Sequence, residues 1–179
     1  NLGKSKVTPL EEADADYASS FKRLQNLGDY FVLNVSSPNT PGLRALQDRA
    51  ALDTLLRTIQ SLNTRNQPVL LKIAPDLTFD AISEILTLAQ HHHLAGLIAT
   101  NTTIDHSSVP THRKQTGGLS GMPVRERSME VLRFIVKNTQ IPVISVGGIF
   151  DADEALRRLD AGACLIQLYT GLIYRGPAP

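Results

Sequence analysis

Five short apolar runs, Phe31 to Val35, Val69 to Ile73, Gly96 to Thr100, Val143 to Val146 and Ala163 to Leu168, recur along the chain with an amphipathic stretch between each and the next. Strands covered on both faces read as continuous apolar runs, and parallel strands need long crossovers that are usually helical. The pattern therefore predicts repeated βα units around a parallel sheet. Helices are expected near residues 9–27, 44–63, 79–93, 124–138 and 151–160. Leu52, Leu55, Leu56, Ile59 and Leu62 give the second its apolar stripe. Thr8-Pro9-Leu10-Glu11 reads as a capping box with proline at the first helical position, and Thr78 and Asp151 read as N-caps.

Five strands would complete an open doubly wound sheet, but they are too few for the eight of a closed barrel. Polar residues follow nearly every apolar run, which favours barrel loops converging on one face. The expected fold class is α/β, a partial (β/α)8 TIM barrel comprising about the last five βα units. It forms a single domain over residues 1–179, with the N-terminal strands missing. A 42% hydrophobic content supports a sizeable core, and a net charge of +1 argues against disorder and against nucleic acid as a partner. The single Cys164 excludes an internal disulfide framework and reads as a packed thiol. No window approaches the roughly 20 apolar residues of a membrane helix.

The strand ends supply the chemistry. In order they are Asn34 to Asn39, Lys72, Thr100-Asn101-Thr102, Gly147-Gly148 and Tyr169-Thr170-Gly171. Amides and hydroxyls dominate, without paired carboxylates or a clear metal set, which suits a planar ligand with several hydrogen-bond acceptors. Gly147-Gly148 before a helix lets backbone amides approach a phosphate, or else makes only a tight turn. Lys72 within an apolar strand calls for an anionic or strongly polar partner, either a ligand or an internal carboxylate. Ser37 needs a proton acceptor or relay to act as a base, with Thr40 the nearest candidate, and otherwise caps a turn. Asn34 and Asn39 carry the same two readings. His91-His92-His93 ends a helix, where solvated side chains are expected rather than metal ligands. The long connection from Thr102 to Gly121 has the length of a lid or ligand loop.

Asn34 to Arg44, Leu71 to Leu77, Thr100 to Thr103, Gly117-Gly118-Leu119-Ser120-Gly121, Gly147-Gly148 and Leu168-Tyr169-Thr170 together resemble dihydroorotate dehydrogenase. Serine at position 37 resembles the quinone-dependent, membrane-associated class 2. The resemblance implies FMN-dependent oxidation of (S)-dihydroorotate to orotate in pyrimidine biosynthesis. It implies Ser37 as the base at C5 and Thr40 as its relay. It places Asn34, Asn39, Asn101 and Thr102 on the substrate, and Asn1, Asn34, Lys72, Thr100, Gly121, Gly148, Tyr169 and Thr170 on FMN. It further implies quinone access and membrane contact through the absent N-terminal part, with a peripheral location on the cytoplasmic face of the inner membrane in a bacterium. The fragment alone is expected to bind FMN poorly and not to turn over. Other readings are another FMN-dependent barrel oxidoreductase, including one for a 2-hydroxy acid, which would want a histidine at a strand end, and a non-catalytic phosphate-ligand module.

Overall fold

The computed structural model describes residues 1–177. Among them, five strands form one sheet: β1 (Phe31–Asn34), β2 (Val69–Ile73), β3 (Gly96–Ala99), β4 (Val143–Val146) and β5 (Leu165–Gln167). The helices are α1 (Ala13–Leu24), α2 (Arg49–Leu62), α3 (Phe79–His91), α4 (Arg125–Asn138), α5 (Ala152–Asp160) and a short α6 (Thr170–Arg175). Every strand pair is parallel, and the spatial order β1-β2-β3-β4-β5 equals the chain order. A doubly wound sheet reverses its order at a switch point. This one never does, which leaves the barrel reading.

Side-chain direction alternates along each strand. One set, including Phe31, Leu33, Leu71, Ile73, Leu97 and Val143, packs with Leu52, Leu55, Leu56 and Ile59 of α2, with Ile82 and Ile85 of α3 and with Leu132 and Ile135 of α4. The other set, Val32, Leu70, Ile98 and Ile144, forms a separate small cluster on the opposite face. Two residues onward along the strands that face becomes Asn34, Lys72, Thr100, Val146 and Gln167, all of which line a cavity. Register pairs Lys72 with Ile98, whereas the polar layer joins Lys72 to Thr100. That two-residue climb is the stagger of tilted strands closing toward a barrel. Leu2 bridges Leu33 in parallel, with Leu2 N–H donating to Val32 O at 2.7 Å and Asn34 N–H to Leu2 O at 2.8 Å, so residues 1–3 lie on the free edge of β1.

Several local expectations are corrected. The first helical segment opens as a 3-10 turn, Leu10–Glu12, with no side-chain cap. Its approach is tied instead by Lys4 Nζ donating to Ser5 O and Thr8 O and by Ser5 N–H donating to Asp16, which replaces the expected Thr8 box. The second helix is split by extended Asp48 into a 3-10 turn, Leu43–Gln47, and α2. Thr78 and Asp151 do cap α3 and α5, accepting from Ala81 N–H at 3.2 Å and Glu154 N–H at 2.9 Å. Cys164 is exposed, because β5 is an edge strand with little packed over it. The histidines divide: His91 is exposed, whereas His92 is buried with Nε2 at 2.7 Å from Asp53 of α2. Asp53, His91 and His92 cluster, but the carboxylate is already shared by His92 and Arg57, a helix-to-helix tie. No helix among the described residues is long and apolar enough to cross a membrane.

Helix α5 carries its ion pair inward and leaves Leu156 and Leu159 exposed. Arg158 and Glu154 are 0% and 2% exposed and meet at 2.7 Å. Removing one partner of such a pair strands a buried charge, at a cost of about 3–5 kcal/mol, whereas replacing both with apolar groups is far milder. Arg158→Met should therefore destabilise strongly in urea unfolding, and adding Glu154→Leu should recover only part of the loss, because Gly147 O and Arg125 O lose their Arg158 donor in both variants.

Candidate active site

The C-terminal ends of the strands surround a cavity of about 440 Å³, within the range of small-ligand and cofactor sites. On its β1 and β3 side the amides form one network. Asn101 Nδ2 donates to Asn34 Oδ1 at 3.1 Å and to Ser36 Oγ at 2.9 Å, and Ser36 Oγ donates to Asn34 Oδ1 at 2.9 Å. Asn101 Oδ1 accepts from Thr102 N–H at 2.8 Å, which leaves that side chain fixed at both ends. The β1 end is held from below by Tyr17, whose hydroxyl donates to Asn34 O at 2.8 Å. Burial pushes the Tyr17 phenol's pKa well up, so it remains a donor. Two polar side chains on this wall lack a hydrogen-bond or ion-pair partner. Thr102 Oγ1 is buried without a hydrogen bond, and Lys72 is half-buried without an ion pair among the described residues. Burial alone depresses the Lys72 pKa, with no counter-charge opposing it.

Ser37 lines the same cavity. Its hydroxyl accepts from Asn39 N–H at 3.3 Å, so it caps its turn and still faces the pocket. Among the described residues no hydrogen bond joins it to Thr40 or to a histidine or carboxylate.

The opposite wall is made by Gly147-Gly148, Gly121 and the start of α6. Gly148 has φ +71°, and a Cβ there would lie 2.4 Å from Arg125 Cβ. Only glycine fits this turn against α4. The turn is held from behind: Arg125 Nε donates to Gly148 O at 2.8 Å, while Arg158 Nη2 and Ser128 Oγ each donate to Gly147 O at 3.0 Å. Thr170 Oγ1 reaches Ser120 Oγ at 2.9 Å and joins α6 to the end of the long connection. That connection, Thr102 to Gly121, is pinned by a Thr103–Leu119 bridge and by His106 Nε2, 3.0 Å from Gly117 O.

Of the expected residues, Asn34, Ser37, Lys72, Thr100, Asn101, Thr102, Gly121, Gly148, Tyr169 and Thr170 share the cavity. Asn1, Asn39 and Thr40 lie outside its lining. Asn1 is exposed beside β1, and Asn39 approaches Gly117, where an added Cβ would stand 3.1 Å from Asn39 Oδ1. Sequence reasoning missed Arg44, which ties three rim segments together, and the Arg158–Glu154 pair under the glycine turn. Neither has a local signature: Arg44 meets Asp76, 32 residues on, and Arg158 looks like one more surface arginine of α5.

Parallel βα units wound in one direction, with amides, hydroxyls, an unpartnered lysine and a glycine turn gathered at the strands' C-terminal rim, define a (β/α)-barrel ligand site. The family model for dihydroorotate dehydrogenase matches residues 1–179, and the chain belongs to that family. It is 55% identical to dihydroorotate dehydrogenase (quinone) of Nostoc punctiforme over 188 aligned residues, covering 99% of this chain and 50% of that protein. The quinone enzyme of Gloeobacter violaceus is 54% identical over 179 residues, at 99% and 51% coverage. Crystal structures of Eimeria tenella DHODH superpose with TM-scores of 0.89 for the ferulenol complex and 0.90 for the ligand-free form. Their identities are 36% and 37%, and the match spans 99% of this chain but 53% and 55% of those chains. This chain thus spans about half the length of the relatives it matches.

The lowered Lys72 pKa fixes the sign of a pH effect. Between the folded value and the unfolded value of about 10.4, the unfolded chain binds more protons, so ligand-free stability rises with pH across that alkaline window. Lys72→Met should abolish this alkaline gain in thermal unfolding of the ligand-free protein without lowering its midpoint at neutral pH, while weakening ligand binding.

Proposed function

We propose that this chain supplies the catalytic rim of a quinone-dependent dihydroorotate dehydrogenase, which oxidises (S)-dihydroorotate to orotate in pyrimidine biosynthesis. The observation that carries the reading is one cavity bringing Ser37, the Asn34–Ser36–Asn101 network and Lys72 on one wall together with the Gly148 turn on the other. A pyrimidine ring with carbonyls, an N–H and a carboxylate finds a donor in Asn34 Nδ2, since the network holds only Asn34 Oδ1, and lies beside Asn101 and Thr102. Asn34 completes that wall, and Asn39 belongs to the same turn.

The cavity also fits FMN. Lys72 offers a cation without a protein partner, and Gly148, Gly121, Tyr169 and Thr170 offer backbone and hydroxyl groups where a phosphate would sit. Thr100 lies between, and Asn1 is too exposed in this chain to hold a ligand alone. When bound, FMN supplies the acceptor for the hydride leaving C6 of the substrate. Ser37 takes the proton from C5, and Thr40, half-buried on the same turn, is the candidate relay for its onward path. The long connection between Thr102 and Gly121 would cover part of the site, its ends lining the cavity, and the loop after Asn34 would shield the proton transfer from bulk water. We further assign quinone access and contact with a membrane surface to the portion of the relatives that this chain does not span, because a quinone dissolves in the bilayer. A peripheral location on the cytoplasmic face of the inner membrane follows for a bacterial protein. The exposed apolar residues of the open edge, Leu165, Ile173 and Tyr174 among them, support the expectation that this half alone binds FMN poorly.

The 2-hydroxy acid reading loses ground because no histidine among the described residues lines the cavity. Anaerobic mixing of the FMN-loaded, full-length protein with dihydroorotate tests the assignment. Flavin absorbance should bleach rapidly, and Ser37→Ala should slow bleaching by about 10²–10⁴-fold while FMN stays bound. No bleaching of a flavin-loaded protein would sink the substrate assignment, and an unaffected Ser37→Ala variant would return Ser37 to turn capping.

A further inference from the structure

We propose that Arg44 is a positioning residue that holds Ser37 in register with the substrate-facing end of β3; the proposal rests on the dihydroorotate reading above. Arg44 does not line the cavity, yet its guanidinium spans three rim segments. Nε donates to Ser36 O at 3.0 Å, Nη1 to Asp76 Oδ2 at 2.7 Å and Nη2 to Thr102 O at 2.7 Å. Ser36 O belongs to the peptide unit whose nitrogen is that of Ser37, so the first bond grips the backbone that aims the base. Thr102 O belongs to the peptide joining Thr102 to Thr103, so the third bond grips the backbone that aims the Thr102 hydroxyl. Asp76, after β2, completes the clamp by accepting from the Thr103 hydroxyl and from Ile104 N–H, where the long connection begins.

The clamp needs arginine for a geometric reason. A planar fork can address three acceptors in fixed directions, whereas a lysine ammonium is a point charge on a flexible stem. The pair's side chains are 20% and 23% exposed, so water competes only partly for these bonds. The stake is also geometric, since a shift of about 1 Å in a reacting group can cost about 100-fold in rate. The glycine turn across the cavity is held independently by Arg125 and Arg158. A defect at Arg44 should therefore separate proton removal from flavin binding.

The test uses the full-length, FMN-loaded protein and its Arg44→Lys and Asp76→Asn variants. FMN content, orotate binding and the rate of flavin reduction at saturating dihydroorotate are measured, the last also with C5-deuterated substrate. Both variants should keep FMN and slow reduction by roughly 10- to 100-fold, with a larger C5 isotope effect as proton removal becomes more limiting. The proposal is overturned if reduction stays within about twofold of wild type, or if rate falls only in step with FMN content while the isotope effect is unchanged. Should Arg44→Lys not fold, Asp76→Asn decides alone by the same criteria. Wild-type protein that dihydroorotate fails to reduce would defeat the underlying reading. Normal wild-type reduction matched by both variants would defeat the positioning claim alone.

Discussion

A parallel sheet covered by helices on one face must bury its backbone and still leave water or ligand something to meet, and in this molecule the strands' C-terminal rim is where that happens. Alternation assigns Leu33, Leu71, Leu97 and Val143 to the helices and Val32, Leu70, Ile98 and Ile144 to the opposite face. One pleat further on, the same alternation delivers Asn34, Lys72 and Thr100 to the cavity. The polar layer is thus a geometric continuation of the core. Shifting any strand by one residue would exchange the layers and put Lys72 among the leucines under α2 and α3.

The loops beyond that rim carry many carbonyl groups with no strand or helix to satisfy them, and a set of arginines does so. Arg44 takes Ser36 O and Thr102 O, Arg127 takes Pro75 O and Leu77 O, Arg125 takes Gly148 O, and Arg158 takes Gly147 O and Arg125 O. Backbone acceptors withdrawn from water must be paired, and guanidinium serves because it offers five donors in one plane. Binding residues are thereby held at fixed separations although they stand on loops. Arg158 has its charge compensated by buried Glu154, whose carboxylate Arg157 shares.

The strands were legible because burial on both faces leaves an unbroken apolar run, and Lys72 was legible because it interrupts one. Gly147-Gly148 could be read for a similar local reason: a pair of glycines between a strand and a capped helix has few other uses. The Thr8 capping box failed because Lys4, ahead of the helix, and Asp16, in the first turn of α1, bind the approaching backbone instead. His92 was read as solvated because nothing near it in the chain reveals Asp53 on the neighbouring helix. Cys164 was read as packed because an apolar run says nothing of whether its strand is central or at an edge.

The sequence by itself determined the parallel βα architecture, the chemical character of each strand end and membership of the dihydroorotate dehydrogenase family, since these depend on residue type at short spacing. Tertiary structure alone decided that Asn34, Ser36 and Asn101 share one hydrogen-bond network and that Arg44 spans segments 8, 32 and 58 residues away. It alone also placed the charged pair of α5 inward and its leucines outward. Those outcomes depend on strand tilt and helix rotation, which are set by packing summed over the whole sheet and leave no trace in any single stretch of chain.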